Sequence, residues 1–401
     1  MSADSGRAAG SGHRRSLLVG AVLVALLAAL TVAGVKFGAG NPGPAGSPDQ
    51  ATRDATSAFF DAYVDADGRV VRRDQGADTV SEGQAYGMLL AVAVRDEDRF
   101  DAVWGWTRSH LLQPSGLLAW RWQGGAVVDP EPATDADLDA VTALLTAARV
   151  FDRPELHQRG VALAGAVVRL GTLPATDRAP ADGVPPNALP AAGRLLVAGP
   201  WARQDPAVVN PSYLAPGTAR GYAARTDDAR WEAVADTQQA LLDTLLGSPA
   251  QRLPPDWAQV PAPQGVARVG QAVPSGPPDG STGPLYGYDA PRLLVRLASS
   301  CAAADRKDAA GLAGRLGQRP LPALLNLDGG GRADYEQPLG LVAAAAAEHA
   351  DGDDAARDSL LQRAADLPAA SDTYYGAAWL ALGRALLTPS PLTTCDPGAS
   401  T

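Results

Sequence analysis

Three acidic residues stand where the sequence predicts that a loop turns into a helix. They are Glu82, Asp135 and Asp289, in the stretches 81–88, 133–138 and 286–292. Glycine or alanine flanks each of them and leaves room for another molecule to approach. Two carboxyl groups that face one cleft can act as general acid and general base. The pattern therefore indicates carboxylate chemistry at a shared cleft.

Helix capping is the competing interpretation of the same residues. Ser81 followed by Gln84 has the form of a capping box, and an acidic residue in the first turn complements the helix dipole. Thr134 or Asp135 can cap the second helix, and Asp289 the third, where Pro291 fits the first turn. Each residue alone is explained by capping, whereas three together favour a carboxylate-lined cleft.

Aromatic residues are concentrated near the first of these stretches, although the protein has few of them. Flat sugar faces stack on such rings, and core packing is the competing use. We predict that Trp120 or Trp122 lies in the cleft. Tyr213, in the stretch 210–213, adds a ring with a hydroxyl group that can contact a substrate.

Other chemistries lack the residues that they need. The four histidines are scattered and have no metal-ligand partner at i+4, and the sequence shows no nucleophile elbow or phosphate loop. A net charge of −10 argues against nucleic acid as a partner. A polysaccharide lyase is disfavoured because no Tyr/His or Lys/Arg pair stands out as its base. We predict no metal, no cofactor, and a polysaccharide as the partner.

The first 54 residues predict a membrane attachment. Residues 16–35 are apolar and uncharged, and they are long enough to cross a bilayer. Arginines before them predict a cytoplasmic segment at 1–15 and a catalytic domain outside the cell. Residues 36–54 read as a flexible linker rich in Gly, Pro and Ser. A cleaved signal peptide, and hence a secreted protein, is the alternative.

The rest of the chain predicts one all-α domain over residues 55–390, followed by a tail at 391–401. Apolar residues at three- and four-residue spacing indicate about twelve helices, which suggests paired helices that close into a toroid. A small strand is expected at 69–72, and the protein is expected to be a monomer. Cys301 and Cys395 either pair in the oxidising exterior or remain two buried thiols.

The three stretches together resemble glycoside hydrolase family 8, the inverting endo-glucanases and their relatives. Residues 81–88 resemble the family's acid-bearing motif, and residues 133–151 resemble its signature helix with two apolar departures, at Ala140 and Val141. Residues 288–292 resemble the family's Tyr-Asp-Ala-x-Arg. The stretches 210–213 and 374–376 also recur in such relatives, so that the resemblance covers about residues 55–388.

The resemblance implies an (α/α)6 barrel, preceded here by the anchor helix, and a role for each matched residue. Glu82 is the implied general acid, Asp289 the base that activates water, and Asp135 the residue that holds a distorted sugar. Tyr288 and Arg292 belong to the base-bearing motif and are implied to bind substrate. A helix N-terminus lowers a carboxyl pKa, so that an acid at position 82 requires burial and the charge of Asp135 to outweigh the dipole.

The implied activity is endo-hydrolysis of a β-1,4-glucan at the cell surface, in polymer biosynthesis or in degradation. Xylan, mixed-linkage glucan and chitosan are alternative substrates. A surface protein that binds glycans on the same barrel without turnover is an alternative from a different class.

Overall fold

The computed structural model describes residues 46–175, 192–247, 253–261, 273–275, 277, 280, 283–316 and 321–395. These residues contain fourteen α-helices, twelve of which have at least eight residues. The helices are α1 (Gln50–Tyr63), α2 (Ser81–Ala93), α3 (Glu97–His110), α4 (Thr134–Val150), α5 (Pro154–Leu170), α6 (Pro216–Thr226), α7 (Arg230–Leu246), α8 (Ala290–Ala298), α9 (Ala303–Ala310), α10 (Ala313–Leu316), α11 (Pro338–Asp351), α12 (Asp354–Ala365), α13 (Ala369–Asp372) and α14 (Tyr374–Leu387).

The twelve longer helices pack as six pairs. The pairs are α2 with α3, α4 with α5, α6 with α7, α8 with α9, α11 with α12, and α14 with α1. Helix α14 also contacts α2 and α11, so that the end of the domain closes on its beginning. The arrangement confirms the all-α fold of about twelve paired helices that the apolar spacing predicts.

The helices that carry few charged residues lie in the interior of the domain. Every residue of α2 is buried apart from Glu82, and the alanine run of α11 is buried as well. Small side chains let these helices approach closely. A Cβ atom at Gly383 of α14 would lie 2.4 Å from Val342 of α11. Because the inner helices are tightly packed, they hold the residues at their N-termini in fixed positions.

Eight short strands form three antiparallel sheets beside the helices. The sheets are β1 (Thr79–Val80) with β2 (Arg121–Gln123) and β3 (Ala126–Asp129), β4 (Thr172–Pro174) with β5 (Arg194–Leu196), and β6 (Ala207–Val209) with β7 (Trp257–Val260) and β8 (Val273–Ser275). The strand predicted at 69–72 is wrong, since Val70 and Arg72 make only isolated bridges. The chain turns through positive φ angles at Gly68 and Gly76, which leaves too few residues for a ladder.

The domain begins earlier than the sequence predicts. Helix α1 starts at Gln50, inside the linker predicted at 36–54, because the Asp49 side chain accepts a hydrogen bond from Thr52 N at 2.7 Å. The predicted segments 1–15 and 16–35 lie outside the described residues. Within the described ranges, none of the helices is long and apolar enough to span a membrane.

The C-terminal tail is attached to the domain. Cys301 and Cys395 form a disulfide, which is the first of the two alternatives left open by the sequence. Thr388, just after α14, lies 3.1 Å from Thr52 of α1 between their hydroxyl oxygens. The predicted tail at 391–401 is therefore packed on the domain as far as residue 395, where the described residues end.

Candidate active site

In the described part of the chain, none of the three acidic residues makes an N-cap hydrogen bond to its own helix, although Asp135 accepts one from the N–H of the next residue at 2.9 Å. The N-cap positions of α2, α4 and α8 make no side-chain capping hydrogen bond. The capping box predicted at Ser81 and Gln84 is also wrong. Gln84 instead accepts a hydrogen bond from Val70 N at 2.6 Å and donates one to Thr107 Oγ1 at 2.8 Å. The capping interpretation therefore does not explain why acidic side chains stand at these helix ends.

One buried arginine joins two of the acidic residues. Arg292 of α8 is 3% exposed and donates to Asp135 Oδ2 at 2.8 Å. Its other terminal nitrogen donates to Asp289. The same side chain lies over the ring of Tyr213, with 5.8 Å between the guanidinium carbon and the ring centroid. Arg292 thus holds the N-termini of α4 and α8 together at one point.

Glu82 has the electrostatic environment of a proton donor. Trp120 Nε1 donates a hydrogen bond to Glu82 Oε2 at 3.0 Å. Burial and the neighbouring charge of Asp135 raise the pKa of Glu82 to about 7, although Arg292 and the Trp120 hydrogen bond oppose the rise. Burial and like charge therefore outweigh the opposing effects of Arg292 and Trp120, in the direction that an acid catalyst at this position requires.

Asp289 lies beside Glu82 in a cleft and keeps access to solvent. Its side chain is 24% exposed, whereas that of Arg292 beneath it is 3% exposed. Burial raises the pKa of Asp289 above its ordinary value, and Asp135 adds to the rise, while the Arg292 guanidinium and the Asn210 side chain oppose it. The ion pair with Arg292 favours the carboxylate, which is the form that a base needs.

The cleft extends to both sides of these carboxyl groups. One side is a cavity of about 630 Å³ and the other a cavity of about 500 Å³. Glu82, Asp289 and Arg292 line both of them. The acidic pair therefore stands where the two cavities meet.

The larger cavity, which we call the aromatic half, is lined by flat rings. Trp120, Trp201, Trp257 and Tyr213 contribute to it. Trp201 is 36% exposed, so that part of its ring is open to the cavity and to solvent. Such rings suit the apolar faces of sugars.

Most of the residues that line the smaller cavity, which we call the polar half, carry a hydroxyl, amide or charged group. Tyr288, Tyr335, Arg72 and Gln337 are among its lining residues. The hydroxyl oxygens of Tyr288 and Tyr335 lie 2.8 Å apart, and both rings are exposed. Groups of this kind can form hydrogen bonds with the hydroxyl groups of a sugar.

Trp122 does not take the place that the sequence suggested for it. Neither half of the cleft, as the described residues line it, includes Trp122. Its ring packs edge-on against Trp106 at 5.4 Å and lies under Arg69 at 4.4 Å. The pairing register of β2 shifts between Arg121 and Trp122, so that Trp122 does not repeat the orientation of Trp120 two residues earlier.

The sequence of this chain also matches a known family of glycoside hydrolases. The sequence matches the family model described as glycosyl hydrolases family 8 over residues 46–274, which is more than half of the chain. The chain belongs to glycoside hydrolase family 8. The matched range of this family 8 chain contains Glu82, Asp135 and Tyr213, whereas Asp289 and Arg292 follow it.

Relatives with curated names are endoglucanases. A protein of Novacetimonas hansenii named "Probable endoglucanase" is 31% identical over 300 residues, which cover 72% of this chain and 80% of that protein. An endoglucanase of Escherichia coli O157:H7 is 31% identical over 216 residues, which cover 51% of this chain and 54% of that protein. The match thus spans about half of the Escherichia coli relative. The family 8 chain is a glycoside hydrolase of the endoglucanase type.

Solved structures agree with the fold of the family 8 chain. An endo-β-1,4-glucanase of Acetobacter xylinum is 27% identical with a TM-score of 0.65, covering 84% of this chain and 97% of that one. A β-1,3-1,4-glucanase of Paenibacillus sp. X4 has a TM-score of 0.68 at 17% identity, covering 86% of this chain and 95% of that one, and this likeness concerns the fold alone. Both agree with the (α/α)6 barrel implied by the sequence resemblance.

Several residues of the site escaped the sequence reasoning. Trp201, Trp257 and Tyr335 line the cleft, and their being aromatic in a chain with few aromatic residues was the one available signal. Asp256 lies directly behind Asp289 and carried no signal, because it follows two prolines in an irregular segment. Across the described ranges, no cluster of His, Cys, Asp and Glu has the arrangement of a metal site.

Proposed function

We propose that the protein is an endo-acting, inverting hydrolase of β-1,4-glucan, in which Glu82 is the general acid and Asp289 the general base. The observation that carries the proposal is that both carboxyl groups line one open cleft. Both the aromatic half and the polar half of that cleft include them. The endoglucanase names of the relatives support the glucan as substrate.

Glu82 supplies the proton of the leaving group. With a pKa of about 7 it holds its proton at mildly acidic pH. The proton passes to the glycosidic oxygen as the bond to the anomeric carbon breaks, which leaves Glu82 as a carboxylate. The Trp120 hydrogen bond at 3.0 Å then stabilises the charge that has formed.

Asp289 activates the water. The carboxylate takes a proton from a water molecule while the water oxygen bonds to the anomeric carbon, on the face opposite to the leaving oxygen. The configuration at that carbon is thereby inverted. Inversion requires room for the water, so that the two carboxyl groups are expected to lie about 6.5–9.5 Å apart when substrate is bound.

Asp135 and Arg292 prepare the site. Asp135 accepts hydrogen bonds from Arg292 and from Ala136 N, so that its position on α4 is settled before a substrate binds. Its charge contributes to the raised pKa of Glu82. Asp135 is 1% exposed and is not among the described residues that line either half of the cleft, so we propose that it acts on the cleft through Arg292 and through its charge on Glu82. The sequence-based role of Asp135 in holding a distorted sugar stays a prediction.

The cleft favours internal cleavage of a polymer. Sugars of one chain bind to the aromatic half and to the polar half at the same time, with the scissile bond between Glu82 and Asp289. Trp120, Trp201 and Tyr213 stack on flat sugar faces, and Tyr288 in the other half forms hydrogen bonds with sugar hydroxyl groups.

The proposed location is the outer surface of the cell. The uncharged stretch 16–35, with arginines before it, supports an anchor that leaves the domain outside. We expect the full-length protein to stay with the membrane fraction after a carbonate wash and to be cut by protease added to intact cells. Release into the medium with residues 16–35 removed would instead establish a cleaved signal peptide.

The decisive experiment measures reducing-sugar release by residues 46–401 from carboxymethyl-cellulose, mixed-linkage glucan, xylan and chitosan. We expect activity on the glucans, and a loss of about 10²- to 10⁴-fold in kcat for Glu82→Gln and for Asp289→Asn. Glu155→Gln is the matched control, because Glu155 is an exposed glutamate in the first turn of α5. NMR of the first product should show the anomeric configuration opposite to that of the substrate.

The outcomes separate the alternatives. Full activity of both variants would overturn the acid–base assignment. Activity confined to xylan or chitosan would change the substrate. Tight glucan binding without turnover on any polymer would show a glycan-binding protein on the same barrel.

A further inference from the structure

We propose that Asp256 is a positioning residue for Asp289, because its carboxylate gathers the backbone N–H groups of the loop that carries Asp289. Asp256 precedes β7 and is 33 positions away from Asp289 in the chain. The inference rests on the role of Asp289 as general base proposed above.

Four consecutive backbone groups point at the Asp256 carboxylate. Its Oδ1 atom accepts hydrogen bonds from Gly287 N at 2.9 Å, Asp289 N at 3.2 Å and Ala290 N at 2.7 Å. Its Oδ2 atom accepts one from Tyr288 N at 3.2 Å. A carboxylate that accepts several backbone N–H groups fixes the local path of the chain, since each bond is directional and charge-assisted.

Asp256 performs the capping that the sequence assigned to Asp289. The first N–H groups of α8 need acceptors, and an aspartate at the N-cap ordinarily supplies one from its own side chain. Here Asp256 supplies the acceptor from another segment, and the side chain of Asp289 makes no capping bond. The carboxyl group of Asp289 is therefore left to pair with Arg292 and to face the cleft.

The loop is held on its carbonyl side as well. Gln337 Nε2 donates to Gly287 O at 3.1 Å, and the Tyr375 hydroxyl donates to Tyr288 O at 2.5 Å. A Cβ atom at Gly287 would lie 2.9 Å from the Asp256 carboxylate, so that this close approach depends on glycine. Asp256 itself donates its N–H to Leu285 O at 2.7 Å. These contacts define the orientation of Asp289 from several directions.

Asp256 also places a second negative charge behind the base. It is 7% exposed, and burial together with the charge of Asp289 raises the pKa of Asp256 to about 6. Two carboxyl groups so close together titrate as a pair, and each charge disfavours the other. Because the charge of Asp289 contributes to the raised pKa of Asp256, Asp289 is already ionised when Asp256 titrates.

The test compares Asp256→Asn and Asp256→Ala with Asp305→Asn in residues 46–401. Asp305 of α9 is the matched control, because it is also a buried aspartate that accepts a backbone N–H, from Gly217 at the start of α6 at 2.9 Å. It is not among the described residues that line the cleft. For Asp256→Ala we expect kcat on glucan to fall about 10²-fold with little change in KM, because the base is misplaced and not the substrate.

The pH profile separates positioning from a merely structural role. In Asp256→Asn the change of kcat/KM near pH 6, where Asp256 itself takes up a proton, should disappear from the low-pH limb. The high-pH limb, which reports Glu82, should stay in place. Asp305→Asn should lose thermal stability and leave both limbs unchanged.

A second measurement needs no substrate. Amide hydrogen exchange of the peptide 286–292 should become at least about tenfold faster in Asp256→Ala than in wild type and should not change in Asp305→Asn. Unchanged exchange in Asp256→Ala would overturn the inference whatever the activity of the enzyme.

The two proposals fail in different ways. If Asp289→Asn is inactive while Asp256→Ala keeps the kcat and pH profile of the wild type, the inference is wrong and the proposed function stands. If Asp289→Asn is fully active, the base assignment fails, and with it the role of Asp256 in catalysis.

Discussion

Two ion pairs connect the same two helices, and only one of them includes one of the described residues that line the cleft. Arg292 of α8 pairs with Asp135 of α4 at 2.8 Å, and Arg296 pairs with Asp139 at 2.5 Å. The members are four residues apart on each helix, so that the second pair lies one helical turn below the first. We call them the upper pair and the lower pair.

The number of carboxyl groups per arginine separates the two pairs. Both terminal nitrogens of Arg296 donate to Asp139, which gives one cation for one anion. Arg292 divides its donors between Asp135 and Asp289, while the charge of Asp135 also acts on Glu82. The upper pair is therefore short of positive charge, and burial together with the charge of Asp135 raises the pKa of Glu82. A pair that is balanced holds helices together, whereas a pair that is short of positive charge keeps a proton in the cleft.

The upper pair should matter for turnover. Asp135→Asn preserves the shape of the side chain and removes its charge, so we expect kcat on glucan to fall about 10²- to 10³-fold with a small change in the urea midpoint. Because Asp135 raises the pKa of Glu82, the high-pH limb of kcat/KM should also move to lower pH. Wild-type kcat in this variant would show that the upper pair is as structural as the lower one.

The lower pair should matter for stability. Asp139→Leu leaves the largely buried Arg296 without its partner, and we expect the free energy of unfolding to fall by about 3 kcal/mol while kcat of the folded protein stays within twofold. Adding Arg296→Met removes the unpaired charge and should restore most of the loss. Urea unfolding and kcat for the single and the double variant check this. A large loss of kcat in a stably folded variant would show that the lower pair, like the upper pair, is needed for turnover.

The smallest expected effect is on the free energy of unfolding, which the raised pKa of Glu82 makes dependent on pH. Its pKa is about 7 in the folded protein and 4.5 in an exposed glutamate, so that the folded state binds the proton more tightly. The stability from that proton is fully present below pH 4.5 and is lost as the pH rises to about 7.

Glu82→Gln should therefore remove part of this slope and raise the free energy of unfolding at pH 8 by about 2 kcal/mol relative to wild type. At pH 4 the two proteins should be nearly equal. Urea unfolding between pH 4 and pH 8 measures the difference. Parallel curves for the two proteins over this range would contradict the raised pKa. The same measurement on Glu155→Gln provides the control.

Much of the helical fold and the central residues of the site were predictable from short stretches. The apolar spacing indicated the helices because burial follows the helical period, and the tally of about twelve agrees with the structure. Glu82, Asp135 and Asp289 were found because each stands at a helix start beside small residues. Helix beginnings were less predictable. Asp49 caps α1 within a segment whose composition indicated a linker.

The remaining features depend on partners that are distant in the sequence. Gln84 looked like half of a capping box, but Val70 and Thr107 bind its side chain in the structure. Nothing in the sequence favoured Trp120 over Trp122 as a cleft residue. In the structure Trp120 is one of the described residues that line the cleft and Trp122 is not, and the register of β2 shifts immediately before Trp122. Asp256 had no local signal at all, because its partners begin 31 positions later.

The sequence by itself indicated carboxylate chemistry and the family, because both can be recognised from residue types within short stretches of the chain. The tertiary structure decided which carboxyl group carries a proton, because a pKa depends on burial and on charges brought together from α2, α4 and α8. It also decided that Asp256 and not Asp289 caps α8, because a hydrogen-bond acceptor can come from any segment that folds within reach.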